Sequence, residues 1–293
     1  MQKIVPYFWC NQEAAEAAEF YSSLFDYSSI TSRMEIDDTP SGTVETVNFT
    51  LAGQSFMAIS AGPRFKFTPA ISFQIFCDTI EEAEHLWQEL SKDGHVLIPL
   101  GADKISDKYG WTEDRYGLSW QILHLPNQLI AQKIVPTLLF SGEQCGKAKE
   151  AMAFYTSVFD NAAIDGLHYY GEGDEQNQLG TVMYGLFDLE GLGFVAMDSG
   201  KLNGFTFNEA VSFMVNCNTQ EEIDYYWEEL SAVPEAGQCG WLKDKYGVSW
   251  QIIPTIMKKL TTTKDPDQLK RVTQAFLKMK KIDIAELKKA YEG

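Results

Sequence analysis

The stretch Gly110-Trp111-Thr112-Glu113-Asp114-Arg115-Tyr116-Gly117-Leu118-Ser119-Trp120-Gln121-Ile122-Leu123 returns as Gly240-Trp241-Leu242-Lys243-Asp244-Lys245-Tyr246-Gly247-Val248-Ser249-Trp250-Gln251-Ile252-Ile253, 130 residues later. The same offset relates Gln2-Lys3-Ile4-Val5-Pro6 to Gln132-Lys133-Ile134-Val135-Pro136. A period of that length is a whole domain and not a solenoid turn. The chain therefore reads as two fused copies, residues 1–127 and 132–257, joined by a linker near 126–131 and followed by an extension, 258–293.

Within a copy the hydrophobic pattern itself repeats. A short apolar strand (Ile4 to Cys10; Ile134 to Phe140) precedes a helix whose inward stripe is Ala14, Ala17, Ala18, Tyr21, Leu24 and Phe25, or Ala148, Met152, Phe154, Tyr155, Val158 and Phe159. Alternating segments follow at 29–36, 43–51 and 54–60, with Ala52-Gly53 as a hairpin turn. Then Ile71 to Cys77 opens a second unit. Thr79 and Glu82 have capping-box spacing before a helix carrying Ala83, Leu86, Trp87 and Leu90, and strands follow near 95–98, 110–113 and 119–125. The second copy repeats this from Thr219 and Glu222. The expected fold is α+β: four βαβββ modules, two to a copy, plus a helical tail. In the tail Asp265-Pro266 reads as an N-cap with Pro at the first helical position, and residues 282–291 read as a second short helix.

Composition narrows the function classes. The chain has no apolar run approaching the about eighteen residues a membrane helix needs, and it enters a strand at once, which implies a soluble cytoplasmic protein. Five cysteines form no C-x-x-C, so reduced thiols are expected. A net charge of −17 argues against nucleic-acid partners. The tail holds ten Lys or Arg against five Asp or Glu, leaving −22 on the rest, so it is expected to dock on its own acidic body.

The paired modules, the helix ending Phe-Tyr-x-x-x-Phe-Asp (Phe20-Tyr21 to Phe25-Asp26; Phe154-Tyr155 to Phe159-Asp160) and the closing Asp-x-Tyr-Gly-x-Ser-Trp-Gln-Ile carry a resemblance. They resemble the vicinal oxygen chelate superfamily of glyoxalase, bleomycin-resistance and dioxygenase domains. Within it they are similar to the PhnB-like branch, which bears a 3-demethylubiquinone-9 3-methyltransferase label. The resemblance covers 1–257 in two copies, and Lys278 to Ala285 is similar to extensions in that branch. It implies glyoxalase-like domains whose cups commonly hold a divalent metal on His and carboxylate ligands. At the matching positions stand Pro6, Ser72 and Gln121 in one copy and Pro136, Ser212 and Gln251 in the other, with Asn48 or Leu186 on the third strand. None is an imidazole or a carboxylate, so neither metal nor cofactor is expected. His85, His95, His124 and His168 share no ligand spacing.

Period-2 alternation built outward from Gln121 and Pro6 gives an apolar cup with neutral hydrogen-bonding groups. The candidate ligand-binding residues are Phe8, Asn48, Ser72, Gln74, Phe76, Trp111, Gln121, Phe140, Ser212, Met214, Trp241 and Gln251. On this reading the protein binds a small flat molecule without a metal. Gln121 and Gln251 either orient that ligand or satisfy one another, or a neighbouring backbone group, across a filled core, and Trp111 and Trp241 either gate the cup or simply pack. The alternative is an enzyme, a metal-dependent lyase or dioxygenase, or the methyltransferase of the family label. Gly191-Leu192-Gly193 sits in a hairpin with no following helix, so no dinucleotide or S-adenosylmethionine loop supports the last. The acidic run 171–178 is too irregular for a calcium loop. Duplication allows either a monomeric pseudo-dimer or a homodimer, with modules paired within or between the copies.

Overall fold

The computed structural model describes residues 1–39, 41–103, 106–126, 132–172, 177–201 and 204–293. Most of the linker and the centre of the 171–178 run lie outside them. The first module is β1 (Ile4–Cys10), α1 (Ala14–Leu24), β2 (Ser29–Thr39), β3 (Gly42–Leu51) and β4 (Gln54–Ser60). The second is β5 (Ile71–Cys77), α2 (Ile80–Ser91), β6 (His95–Gly101), β7 (Tyr109–Glu113) and β8 (Ser119–His124). The third is β9 (Ile134–Ser141), α3 (Ala148–Val158), β10 (Ala162–Tyr169), β11 (Val182–Leu189) and β12 (Leu192–Ser199). The fourth is β13 (Val211–Cys217), α4 (Gln220–Leu230), β14 (Trp241–Lys243) and β15 (Ser249–Pro254), and the tail adds α5 (Met257–Thr261), α6 (Pro266–Lys278) and α7 (Ile284–Glu292).

Local chemistry sets these boundaries. Thr79 Oγ1 accepts the Glu82 amide at 3.1 Å while the Glu82 carboxylate accepts the Asp78 amide at 2.9 Å, satisfying two donors that the first turn of α2 cannot. Ala52 and Gly53 both have positive φ, 48° and 79°, the two-residue turn that matches strand twist. Asp265 caps α6 by accepting the Asp267 amide at 2.9 Å, with Pro266 in the first turn as its spacing predicts.

The modules pair between the copies. One sheet runs β14-β15-β13-β1-β4-β3-β2, joining the first module to the fourth; the other runs β10-β11-β12-β9-β5-β8-β7-β6, joining the second to the third. The seams are antiparallel, with Tyr7 opposite Ser212 and Gln74 opposite Val135. Helices cover one face of each sheet, and these covered faces meet: Phe8 lies 5.3 Å from Phe73, and Phe194 lies 5.1 Å from Phe213, ring centre to ring centre. A single buried cluster runs through all four modules. The copies are thus core units, while each sheet is shared.

The fourth module has two closing strands where its counterpart has three. The chain from Leu230 to Trp241 is about half as long as that from Leu90 to Trp111, leaving space for only a short 3₁₀ turn at Pro234–Ala236. The tail fills the edge so exposed: the Cys239 and Gly240 amides donate to the Met279 and Lys280 carbonyls, each at 2.8 Å. It docks chiefly through apolar burial of Val272, Ile282 and Leu287, with Lys281 pairing Asp224 at 2.5 Å. Among the described residues no helix is long and apolar enough to cross a membrane.

Candidate functional site

The closing motif is a structural clamp. Asp244 is fully buried and accepts four hydrogen bonds: from the Tyr155 hydroxyl (2.7 Å), the Trp250 indole (2.9 Å) and the amides of Tyr246 (2.9 Å) and Val248 (3.0 Å). Asp114 takes the same four from Tyr21 (2.7 Å), Trp120 (2.8 Å), Tyr116 (2.8 Å) and Leu118 (3.1 Å). Burial raises both carboxyl pKa values, and the four donors oppose the rise. Tyr155 lies on α3, which packs on β10, β11 and β12, and Asp244 lies in the β14–β15 turn of the other sheet, so this clamp ties a helix covering one sheet to the edge of the other. The Asp, Tyr and Trp of the motif serve the core, and only its Ser and Gln reach the opposite face.

That helix-free face is the cup. Ser72, Gln74 and Phe76 on β5 and Ser119, Gln121 and Leu123 on β8 stand side by side on it, as do Ser212, Met214 and Asn216 on β13 with Ser249, Gln251 and Ile253 on β15. Ser72, Gln74, Phe76, Gln121, Ser212, Met214 and Gln251 lie on the face that alternation expects. Because each sheet is shared, Ser72, Gln74, Phe76, Trp111 and Gln121 line one cup, whereas Asn48, Ser212, Met214, Trp241 and Gln251 line the other.

Phe8 and Phe140 line neither cup. Phe8 packs on the helix side against Tyr21, Phe49, Phe56 and Phe73, and Phe140 against Phe207 and Tyr246. Pro6 and Pro136 point the same way, opposite Phe213 and Phe73. The face of β1 and β9 was inferred from the prolines, but the antiparallel seams decide it, and a slip of one residue inverts a strand. The cup-facing residues are instead Val5, Tyr7 and Trp9 on β1 and Val135, Thr137 and Leu139 on β9. Trp9 and Tyr7 are aromatic rings with a polar end, whereas Phe8 has none, and that contrast was the available signal.

At the centre of the first cup, Tyr7, Met57, Met214 and Gln251 lie on adjacent strands; the second cup has Gln74, Gln121, Thr137 and Val195 there. Phenol, thioether, amide and hydroxyl groups leave a dication without charge compensation, so the chelate of the wider superfamily does not fit these donors. Among the described residues no three His, Cys, Asp or Glu side chains gather in ligand geometry.

The two cups are built differently. In the β5/β8 cup, Gln121 Nε2 donates to Ser72 Oγ at 2.8 Å, and its Oε1 accepts Gln74 Nε2 at 3.3 Å and the Tyr109 hydroxyl at 3.1 Å. The Tyr184 hydroxyl donates to Gln74 Oε1 at 3.1 Å, and Trp111 Nε1 donates to Ser119 Oγ at 2.7 Å. Phe76, Leu123, Val135 and Val195 fill the floor, with Tyr109 and Tyr184 laid over them. Burial pushes both tyrosine pKa values up. In the β1/β13/β15 cup, Gln251 Nε2 donates to Ser212 Oγ at 3.0 Å, and no described donor reaches its carbonyl oxygen. Trp241 turns edge-on to Tyr7 and Trp9, at 5.9 and 6.1 Å between ring centres, and the buried Ser249 Oγ is left without a partner. The buried Thr137 Oγ1 of the other cup also lacks one. Trp9 Nε1 donates to the Gly62 carbonyl at 2.8 Å, beside an open groove of about 380 Å³ lined by Ser41, Ala61, Gly62, Pro63 and Arg64.

The fold is glyoxalase-like, built from two tandem copies of one domain. The sequence pattern of the 3-demethylubiquinone-9 3-methyltransferase family matches residues 2–123 and again 132–253, and the chain belongs to that family. A PhnB protein from Bacillus cereus is 40% identical over 42% of this chain and 100% of its own, with a TM-score of 0.40. Glyoxalase I from Zea mays is 11% identical over 87% of this chain and 94% of its own, with a TM-score of 0.53, a likeness of fold alone. No curated protein matches the chain.

Proposed function

We propose that this protein is a receptor for small, flat, largely apolar molecules that needs no metal, with the helix-free face of a sheet as the seat. What supports the reading is the central floor: phenol, amide, hydroxyl and thioether groups occupy both cups, suited to orient a ligand and unsuited to bind a dication. The rings of Tyr7, Trp9 and Trp241 offer stacking area, with hydrogen-bonding groups of Gln251 and Ser249 on the same face of the sheet. The test is a thermal-shift screen of planar aromatic compounds: a ligand at a hundred times its Kd stabilises by about 2.7 kcal/mol. Failure of every compound to stabilise the protein overturns the reading. So does stoichiometric zinc, nickel, manganese or iron retained through a chelator wash. Calorimetric binding of S-adenosylmethionine would move the assignment to the methyltransferase of the family name.

A further inference from the structure

We infer that duplication has left this chain with a single receptor site, the cup of β1, β13 and β15, and has turned the other cup into packing. The inference rests on the receptor reading above and specifies its site and ligand class. Corresponding positions in the two sheets differ by three exchanges that act together. Met214 stands where the other cup has Gln74, since each pairs with the glutamine of the closing strand. Cys239 stands for Tyr109 before the shared Gly-Trp, and Thr46 stands for Tyr184, each six residues before the corresponding hairpin turn (Ala52-Gly53; Glu190-Gly191). In the closed cup Gln74 and Tyr109 donate to the Gln121 carbonyl, and Tyr184 donates to that of Gln74.

Removing all three has two physical consequences. No tyrosine ring lies over the floor at these two positions, the aromatic rings coming instead from Tyr7 and Trp9 where the closed cup has Thr137 and Leu139, and the Gln251 carbonyl lacks both of the donors that Gln121 has. The second unmet group is Ser249 Oγ, buried and unpartnered because Trp241 leans on Tyr7 and Trp9, whereas Trp111 donates to the matching Ser119. A buried hydroxyl without a partner is costly unless something supplies the bond, and the Gln251 carbonyl beside it has a lone pair free to accept one. The chemical class that supplies them is a neutral, flat aromatic molecule with an N–H or O–H on its edge. Its ring would stack among Tyr7, Trp9 and Trp241, and its donor would reach Gln251. Thr137 leaves one hydroxyl unmet in the closed cup as well, but there Val135, Val195 and Phe76 fill the floor around it.

The experiment titrates the full chain, carrying ¹³C-methyl methionine, with N-phenyl-1-naphthylamine, a neutral aromatic amine with one N–H. Met57 and Met214 report on the open cup and Met197 on the closed one. We expect one equivalent to bind, shifting Met57 and Met214 while Met197 stays put, and Trp241→Ala or Gln251→Leu to weaken binding at least tenfold. Replacing Tyr109 and Tyr184 by Ala should add a second equivalent that shifts Met197. Two equivalents in the unaltered chain, or a shift at Met197 alone, would overturn the single-site assignment while leaving a receptor in place. Absence of binding by this amine, with another planar compound stabilising the protein in the thermal-shift screen, would overturn the assigned site and ligand class; absence of any ligand in that screen would overturn the receptor reading itself. The methionine readout needs no variant to fold.

Discussion

Replacing Tyr155 by Phe deletes one oxygen and leaves the ring against Phe187, Tyr246 and Trp250, so packing is preserved. What is lost is a 2.7 Å hydrogen bond to a fully buried carboxylate. Bonds to charged groups contribute about 1.5–3 kcal/mol, and here water cannot replace the donor. For a chain of this size that is a fall in Tm of about 3–6 °C. Asp244→Ala is the harsher perturbation: it strands the Tyr155 hydroxyl, the Trp250 indole and two backbone amides in the core, and should cost more than about 4 kcal/mol. Tyr21→Phe should repeat the Tyr155 result through Asp114. Because the clamps share no partner, the double variant should lose the sum within about 0.5 kcal/mol. Urea unfolding followed by tryptophan fluorescence measures all four, with the m-value checked for constancy. A loss below about 0.5 kcal/mol for Tyr155→Phe, or Asp244→Ala no worse than Tyr155→Phe, would refute the clamp as a stabilising device.

Other outcomes follow from burial and close contact. Burial pushes Cys10, Cys77 and Cys217 up to about 12 and Cys239 to about 11, so these thiols stay protonated until the pH nears those values. At pH 8 an aromatic disulfide reagent should label Cys145 and Cys239 slowly, and the other three only in denaturant, as counted by absorbance. Gly110→Ala would set a methyl 2.6 Å from the Trp87 ring and 3.0 Å from the Leu100 backbone, costing about 1–3 kcal/mol in thermal unfolding. Gly185→Ala also meets an atom at 2.6 Å, but that atom is the Met152 sulfur on a flexible side chain, so its cost should be smaller. Ending the chain at residue 257 uncovers the Cys239 and Gly240 amides beside β14 that Met279 and Lys280 now pair, and light scattering should then show more self-association than the full chain does.

The duplication, the order of strands and helices in each module, and the caps at Thr79, Thr219 and Asp265 are all legible in the sequence, because each is a local pattern with a local cause. Ser72, Gln74, Gln121, Ser212, Met214 and Gln251 were placed on the correct face for the same reason: once one residue of a strand is oriented, alternation fixes the rest. Phe8 and Phe140 were misplaced because the face of β1 and β9 depends on pairing with β13 and β5, which lie far along the chain. The crosswise pairing of modules, the meaning of the motif aspartates and the difference between the cups came only from the tertiary structure. Tyr184 reaches Gln74 across a separation of 110 residues, and Tyr155 reaches Asp244 across 89. Sequence patterns report which face of an element is apolar; which elements share a sheet is settled by seams and buried hydrogen bonds between distant residues, and no periodicity records those.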